Sequence, residues 1–87
     1  MNASQKNLME ELVKAGFVNV DEFFCVKTVE RTVNGVKFQV FPSISGMNTI
    51  SAEAGTRKIS NRAMHMADVL DFMLTIFDNT EDGKIVI

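Results

Sequence analysis

The densest chemistry in the sequence is cationic. Arg57, Lys58 and Arg62 fall within one short stretch, and His65 follows about one helical turn later. Cations so spaced at the start of a helix would form a phosphate clamp, the footprint of a nucleic-acid contact. The blander reading is a solvated helix end, although cations there oppose the helix dipole and need some other reason to be present. His65 has no Cys, Asp or Glu at metal-ligand spacing and no nucleophile beside it, so it reads as a surface or satisfied residue.

The remaining candidates for chemistry have structural explanations. Glu10-Glu11 and the pair Asp68 and Asp71 read as solvated helix faces rather than acid/base pairs. Cys25 reads as a small apolar residue on a strand, and Met64, Met66 and Met73 as core filling. Gly-rich phosphate loops, nucleophile elbows and metal motifs are missing from the sequence. The expectation is a non-enzyme with no cofactor, no metal and no small-molecule substrate.

Composition narrows the setting. The chain has 87 residues, enough for one domain with a modest core. A single cysteine forms no internal disulfide and fits a reducing compartment, so a cytoplasmic or nuclear location is expected. No apolar leader and no run of about 20 apolar residues is present, so no membrane partner is expected. The net charge of −2 counts against tight, nonspecific phosphate binding. All seven aromatics are Phe, which favours a dry core over a base-stacking surface.

Local patterns place these residues on elements. Ser4 as N-cap, with Leu8, Leu12 and Ala15 on one face, predicts a helix over 5–15 that Gly16 stops. Phe17, Val18 and Val20 read as an apolar connector, and Phe23–Thr32 as a first strand. Val36–Ile44 alternates as a second strand, with Pro42 implying a bulge or an end at Phe41. Asn34-Gly35 between these strands is a strong hairpin signal. Ser45-Gly46 reads as the next turn and Met47–Ala54 as a third strand. Ile59, Ala63, Met66, Leu70, Met73 and Phe77 step by three and four, predicting a last helix capped by Thr56 and ended at Asp78-Asn79. A turn at Thr80–Gly83 leads to Lys84–Ile87, which reads as a short strand or a loose tail. The expected organisation is one domain over 4–79 and a tail over 80–87. Its fold class is α+β in the order α-β-β-β-α, a three-stranded antiparallel sheet with two helices on one face.

That order resembles the double-stranded-RNA-binding domain family. Met9-Glu10-Glu11-Leu12 resembles the family's Leu-Asn-Glu-Leu, and Phe24 its opening aromatic. Phe38, Val40, Pro42, Ile44 and Gly46 fall on its Phe-x-Val-x-Val-x-Val-x-Gly strand. Ala52, Ala54, Thr56, Arg57, Lys58, Ser60 and Asn61 fall on its Gly-x-Gly-x-Ser and Lys-rich helix start. The resemblance spans roughly residues 5–77 and implies duplex-RNA contacts from Glu11, from Asn34 in the loop, and from Arg57, Lys58, Asn61 and Arg62. The family's Gly-Pro-x-His loop is replaced by Arg31-Thr32-Val33-Asn34, and the third cation of the helix by Asn61.

These departures resemble the members that have lost RNA contacts and join proteins in RNA-silencing or RNA-editing complexes. The resemblance makes Met47–Ala52 a sheet edge without Lys, Arg or Pro, so Met47, Thr49, Ile50, Ser51 and Ala52 are the expected interface of a homodimer. Weak, shape-specific binding of double-stranded RNA is the alternative, and docking of a small inhibitor on a host enzyme a further one.

Overall fold

The structure, a computed structural model, describes residues 3–23, 26–42, 47–78, 80–81 and 84–85. Helix α1 spans Ala3–Lys14 and buries Gln5, Leu8, Met9 and Leu12 along one stripe. Its end is built by Gly16, whose φ of 100° lies in the left-handed region. The Phe17 amide then donates to the Leu12 carbonyl (3.0 Å) and the Gly16 amide to Val13 (3.1 Å), closing a Schellman motif. Phe17 and Leu12 are both buried, the apolar contact that accompanies this cap. Arg31 adds a charged cap, its Nη1 donating to the Ala15 carbonyl at 3.0 Å.

Five strands follow: β1 (Val18–Phe23), β2 (Val26–Val33), β3 (Val36–Phe41), β4 (Asn48–Ala54) and β5 (Arg57–Ala63). They form one antiparallel meander in the order β1-β2-β3-β4-β5. Helix α2 (Met66–Asp78) comes next. A two-stranded hairpin of β6 (Thr80–Glu81) and β7 (Lys84–Ile85) ends the described chain, with β7 near β4 and β5.

The expected three-stranded sheet is therefore corrected to five strands, within the same broad α+β class. Two readings fail. Val18 and Val20 of the expected connector belong to β1, whose pairing with β2 shifts register between Asn19 and Asp21, and Phe17 before it is buried. The first half of the expected last helix is β5, and the helix begins at Met66 instead of beyond Thr56. The error has a physical source. Ile59 and Ala63 are four residues apart, and four is a multiple of the strand period, so the pair shares a face in either structure. Gly55, with φ of 62°, opens a two-residue Gly55-Thr56 turn that pairs Ala54 with Arg57. Ser60 and Asn61 are weak helix formers, whereas in the strand the backbone of Asn61 is satisfied by pairing with β4.

Other expectations meet the structure directly. Asn34 and Gly35, both at positive φ, make the tight β2–β3 turn between paired Val33 and Val36. β3 ends at Phe41, before Pro42 can interrupt its ladder. Lys84–Ile85 is a strand. Phe24, Cys25, Ile44, the Ser45-Gly46 turn and Asn79 lie outside the described residues.

Both helices contribute to a single buried core on one face of the sheet, the inner face. Val29, Val36, Phe38, Val40, Ile50, Ala52 and Ala54 supply the sheet side; Leu8, Met9 and Leu12 come from α1, and Val69, Phe72, Met73 and Ile76 from α2. α1 packs on β2, and α2 on β4 and β5. Leu70, expected on the buried stripe, is 48% exposed. Among the described residues no helix is long and apolar enough to cross a membrane.

The start of α2 is held by Asp68. Its Oδ2 accepts the backbone N–H groups of Met64 and His65, each at 3.1 Å, while the His65 carbonyl accepts the amide of Asp68 at 3.0 Å. This is the returning half of a capping box, and the carboxylate also complements the helix dipole.

Two outcomes follow for chemical denaturation. Gly16→Ala should cost about 1–2 kcal/mol through the left-handed backbone; the added Cβ would meet the Arg31 side chain only at ordinary contact distances from 3.7 Å, so the loss is conformational. Asp68→Ala should cost about 1 kcal/mol, the usual worth of a helix N-terminal cap.

Candidate functional site

An antiparallel meander leaves two edges, β1 and β5. β4 is not one of them, because it pairs along its length with β3 and β5. The premise that made Met47–Ala52 an interface is thereby overturned. Ile50 and Ala52 have no exposed surface and belong to the core, and Ser51 is 2% exposed between its neighbours Gln39 and Ser60. Met47 and Thr49 are half-buried. Ile50→Lys would place an unpaired charge in the core, which attacks folding rather than a contact between chains.

The residues expected to touch RNA are dispersed. Glu11 is exposed on α1 and Asn34 is exposed in the β2–β3 turn. Arg57, Lys58, Asn61 and Arg62 lie on β5, so they are not turns of a helix start. Pleating divides them: Arg57 and Asn61 share the inner face with Ile59 and Ala63, while Lys58 and Arg62 point to the outer face with Ser60. On that outer face Glu53 stands directly opposite Lys37 on one side and Lys58 on the other. Cross-strand opposite charges of this kind stabilise a sheet surface and dilute its positive potential. Cations on an edge strand also discourage uncontrolled pairing, an explanation of the basic cluster that needs no phosphate.

The edge itself has a specific hydrogen-bonding pattern. The two-residue turn makes Ala54 and Arg57 a hydrogen-bonded pair, so Arg57, Ile59, Asn61 and Ala63 direct their amides and carbonyls toward β4. Lys58, Ser60 and Arg62 direct theirs outward. One outward donor is occupied: the Arg62 amide donates to Oδ1 of Asn61 at 2.8 Å. Among the described residues the outward groups of Lys58 and Ser60 have no backbone partner.

Beside this edge, between β5 and α2, lies a groove of about 320 Å³. Ile59, Phe72 and Ile76 give it an apolar floor; Asn61, Arg62, Asp68, Asp71 and Thr75 form its rim. Phe72 is fixed by an edge-to-face contact with Phe38, with ring centroids 6.5 Å apart at 83°. The Thr75 hydroxyl donates to the Asp71 carbonyl at 2.9 Å within α2. The groove was missed in the sequence because its two walls were read as one helix.

Asn61→Ala should leave stability within about 0.5 kcal/mol, as for other exposed positions. It should nevertheless speed hydrogen exchange at the Arg62 amide, whose acceptor it removes. Unchanged exchange would mean that the amide has another partner. No protein family, curated protein or solved structure matches the chain, so the resemblance to the double-stranded-RNA-binding family has no family-level support.

Proposed function

We propose that the chain is a protein-interaction module that accepts an extended strand of another polypeptide along β5. The observation that carries this reading is the groove between an edge strand and a helix, floored by Ile59, Phe72 and Ile76. An added strand would pair its backbone with the outward groups of Lys58 and Ser60. Alternate side chains would then drop into the groove, and the intervening ones would lie beside Lys58 and Arg62 on the outer face. Main-chain bonds supply affinity in this mode, and the groove supplies side-chain preference. The expected ligand is therefore an extended segment that alternates apolar and acidic residues.

Duplex RNA fits this surface less well. Its phosphates need cations arrayed on one surface, whereas these cations are divided between two faces and interleaved with Glu53.

Selection from a displayed library of random peptides, followed by NMR titration of the recovered sequences, tests the proposal. Binding should slow exchange at the Lys58 and Ser60 amides, shift signals of Ile59, Phe72 and Ile76, and be lost in Ser60→Pro. Proline there removes an outward N–H without breaking the pairing with β4. Peptides that bind elsewhere, or that still bind Ser60→Pro, would sink the proposal. Salt-dependent shifts along β5 with a duplex of about 20 base pairs, and none with peptide, would transfer the surface to RNA.

A further inference from the structure

The two edge strands have opposite charge in their sequences. β5 holds Arg57, Lys58 and Arg62 with no acidic residue, and β1 holds Asp21 and Glu22 with no basic one. We propose that β5 of one copy receives β1 of a second copy, so that the sheets join head to tail. This rests on the strand-addition reading and names its occupant as the chain itself, which would enter through backbone pairing, since pleating puts Asn19 rather than an apolar residue on the groove side.

Three observations support the pairing. Charge comes first. β5 against β5 would face cations with cations, whereas a β1 added parallel to β5 in line with the sheet's own registers sets Asp21 level with Arg62. Backbone availability is the second. The Val33–Val36 turn pair sends Glu30 and Thr28 of β2 toward β1, bonding them to Val18 and Asp21. Asn19 and Glu22 then direct their backbone groups outward, as Lys58 and Ser60 do on β5. Val18 and Val20, 58% and 44% exposed, give this edge apolar surface to bury.

The helix layer is the third. An odd number of antiparallel strands makes β1 and β5 run in the same direction. A second copy with its helices on the same face would therefore add β1 parallel to β5. α2 lies over β4 and β5, and α1 over β2. Across the junction the next α1 would stand about two and a half strands from α2, roughly 12 Å, the same as the separation within one copy. The helix layer would continue without a gap or a clash, and the incoming α1 would roof the groove beside β5. Such a contact joins two different surfaces, so it repeats until it closes into a ring or extends as a filament.

Sedimentation from micromolar to millimolar concentration, with the full chain and two edge-blocked variants, tests the proposal. The unmodified protein should grow past dimer with concentration and dissociate in high salt. Asn19→Pro and Ser60→Pro, each removing one outward N–H, should both be monomeric alone. Mixed, they retain one intact β5 and one intact β1, and should form a one-to-one pair that grows no further. If Asn19→Pro still associates while Ser60→Pro does not, β5 accepts a strand other than β1; the inference fails and the strand-addition reading stands. A chain that stays monomeric throughout overturns the inference alone, since peptide selection tests the other reading separately. Assembly indifferent to both substitutions overturns the two together. Should circular dichroism show that a proline variant has unfolded, Arg62→Glu and Asp21→Lys replace them. Each should weaken assembly on the order of tenfold or more through like-charge contact, and the two in one chain should restore it. Failure of that restoration, or no weakening, overturns the proposal.

Discussion

Phe38 sits on the middle strand of the sheet with no exposed surface, and its ring meets Phe72 and Phe77 of α2 edge to face. The centroid distances are 6.5 and 5.6 Å, a geometry in which the positive edge of one ring faces the negative face of another. Burial of an aromatic side chain contributes about 1.5–3 kcal/mol, and each such ring pair roughly another 0.5–1.5. This contact pins α2 across the second half of the sheet. Much else depends on it. A helix held there leaves a groove between its flank and the last strand, and that strand must lie beyond β4 for the helix to cover it.

The two ends of the helical layer are fixed by the same economy of backbone hydrogen bonds. At the end of α1, Gly16, Phe17 and Arg31 satisfy carbonyls that the helix cannot. At the start of α2, one carboxylate of Asp68 takes two amides. Arg31 and Asp68 are thus structural charges. Each occupies the helix end whose dipole it complements, and each is used on backbone rather than held ready for a ligand.

Part of this was legible locally. Asn34-Gly35 made its turn because few residues tolerate positive φ at both positions. Val36, Phe38 and Val40 were buried as their alternation demands. The first helix stopped at Gly16, and the last helix kept Val69, Met73 and Ile76 inside. What misled was a stretch with two valid periods. Ile59 and Ala63 satisfy the helical stripe and the strand alternation alike, and the Gly55-Thr56 turn decides between them. The candidate site was lost with it, since the cations of β5 matter differently on an edge strand than on a helix.

By itself, then, the sequence determined the α+β composition, the helix stop at Gly16, the central hairpin and the apolar faces that had to be buried. Those properties follow from dihedral limits and from periodicities that reside in a few neighbouring residues. The tertiary structure decided how many strands there are, that β4 is interior, and that β1 and β5 are the edges. Strand pairing joins residues distant in the chain, so a segment compatible with both helix and strand takes the form that gives its neighbour's backbone a partner and closes the core beneath Phe38.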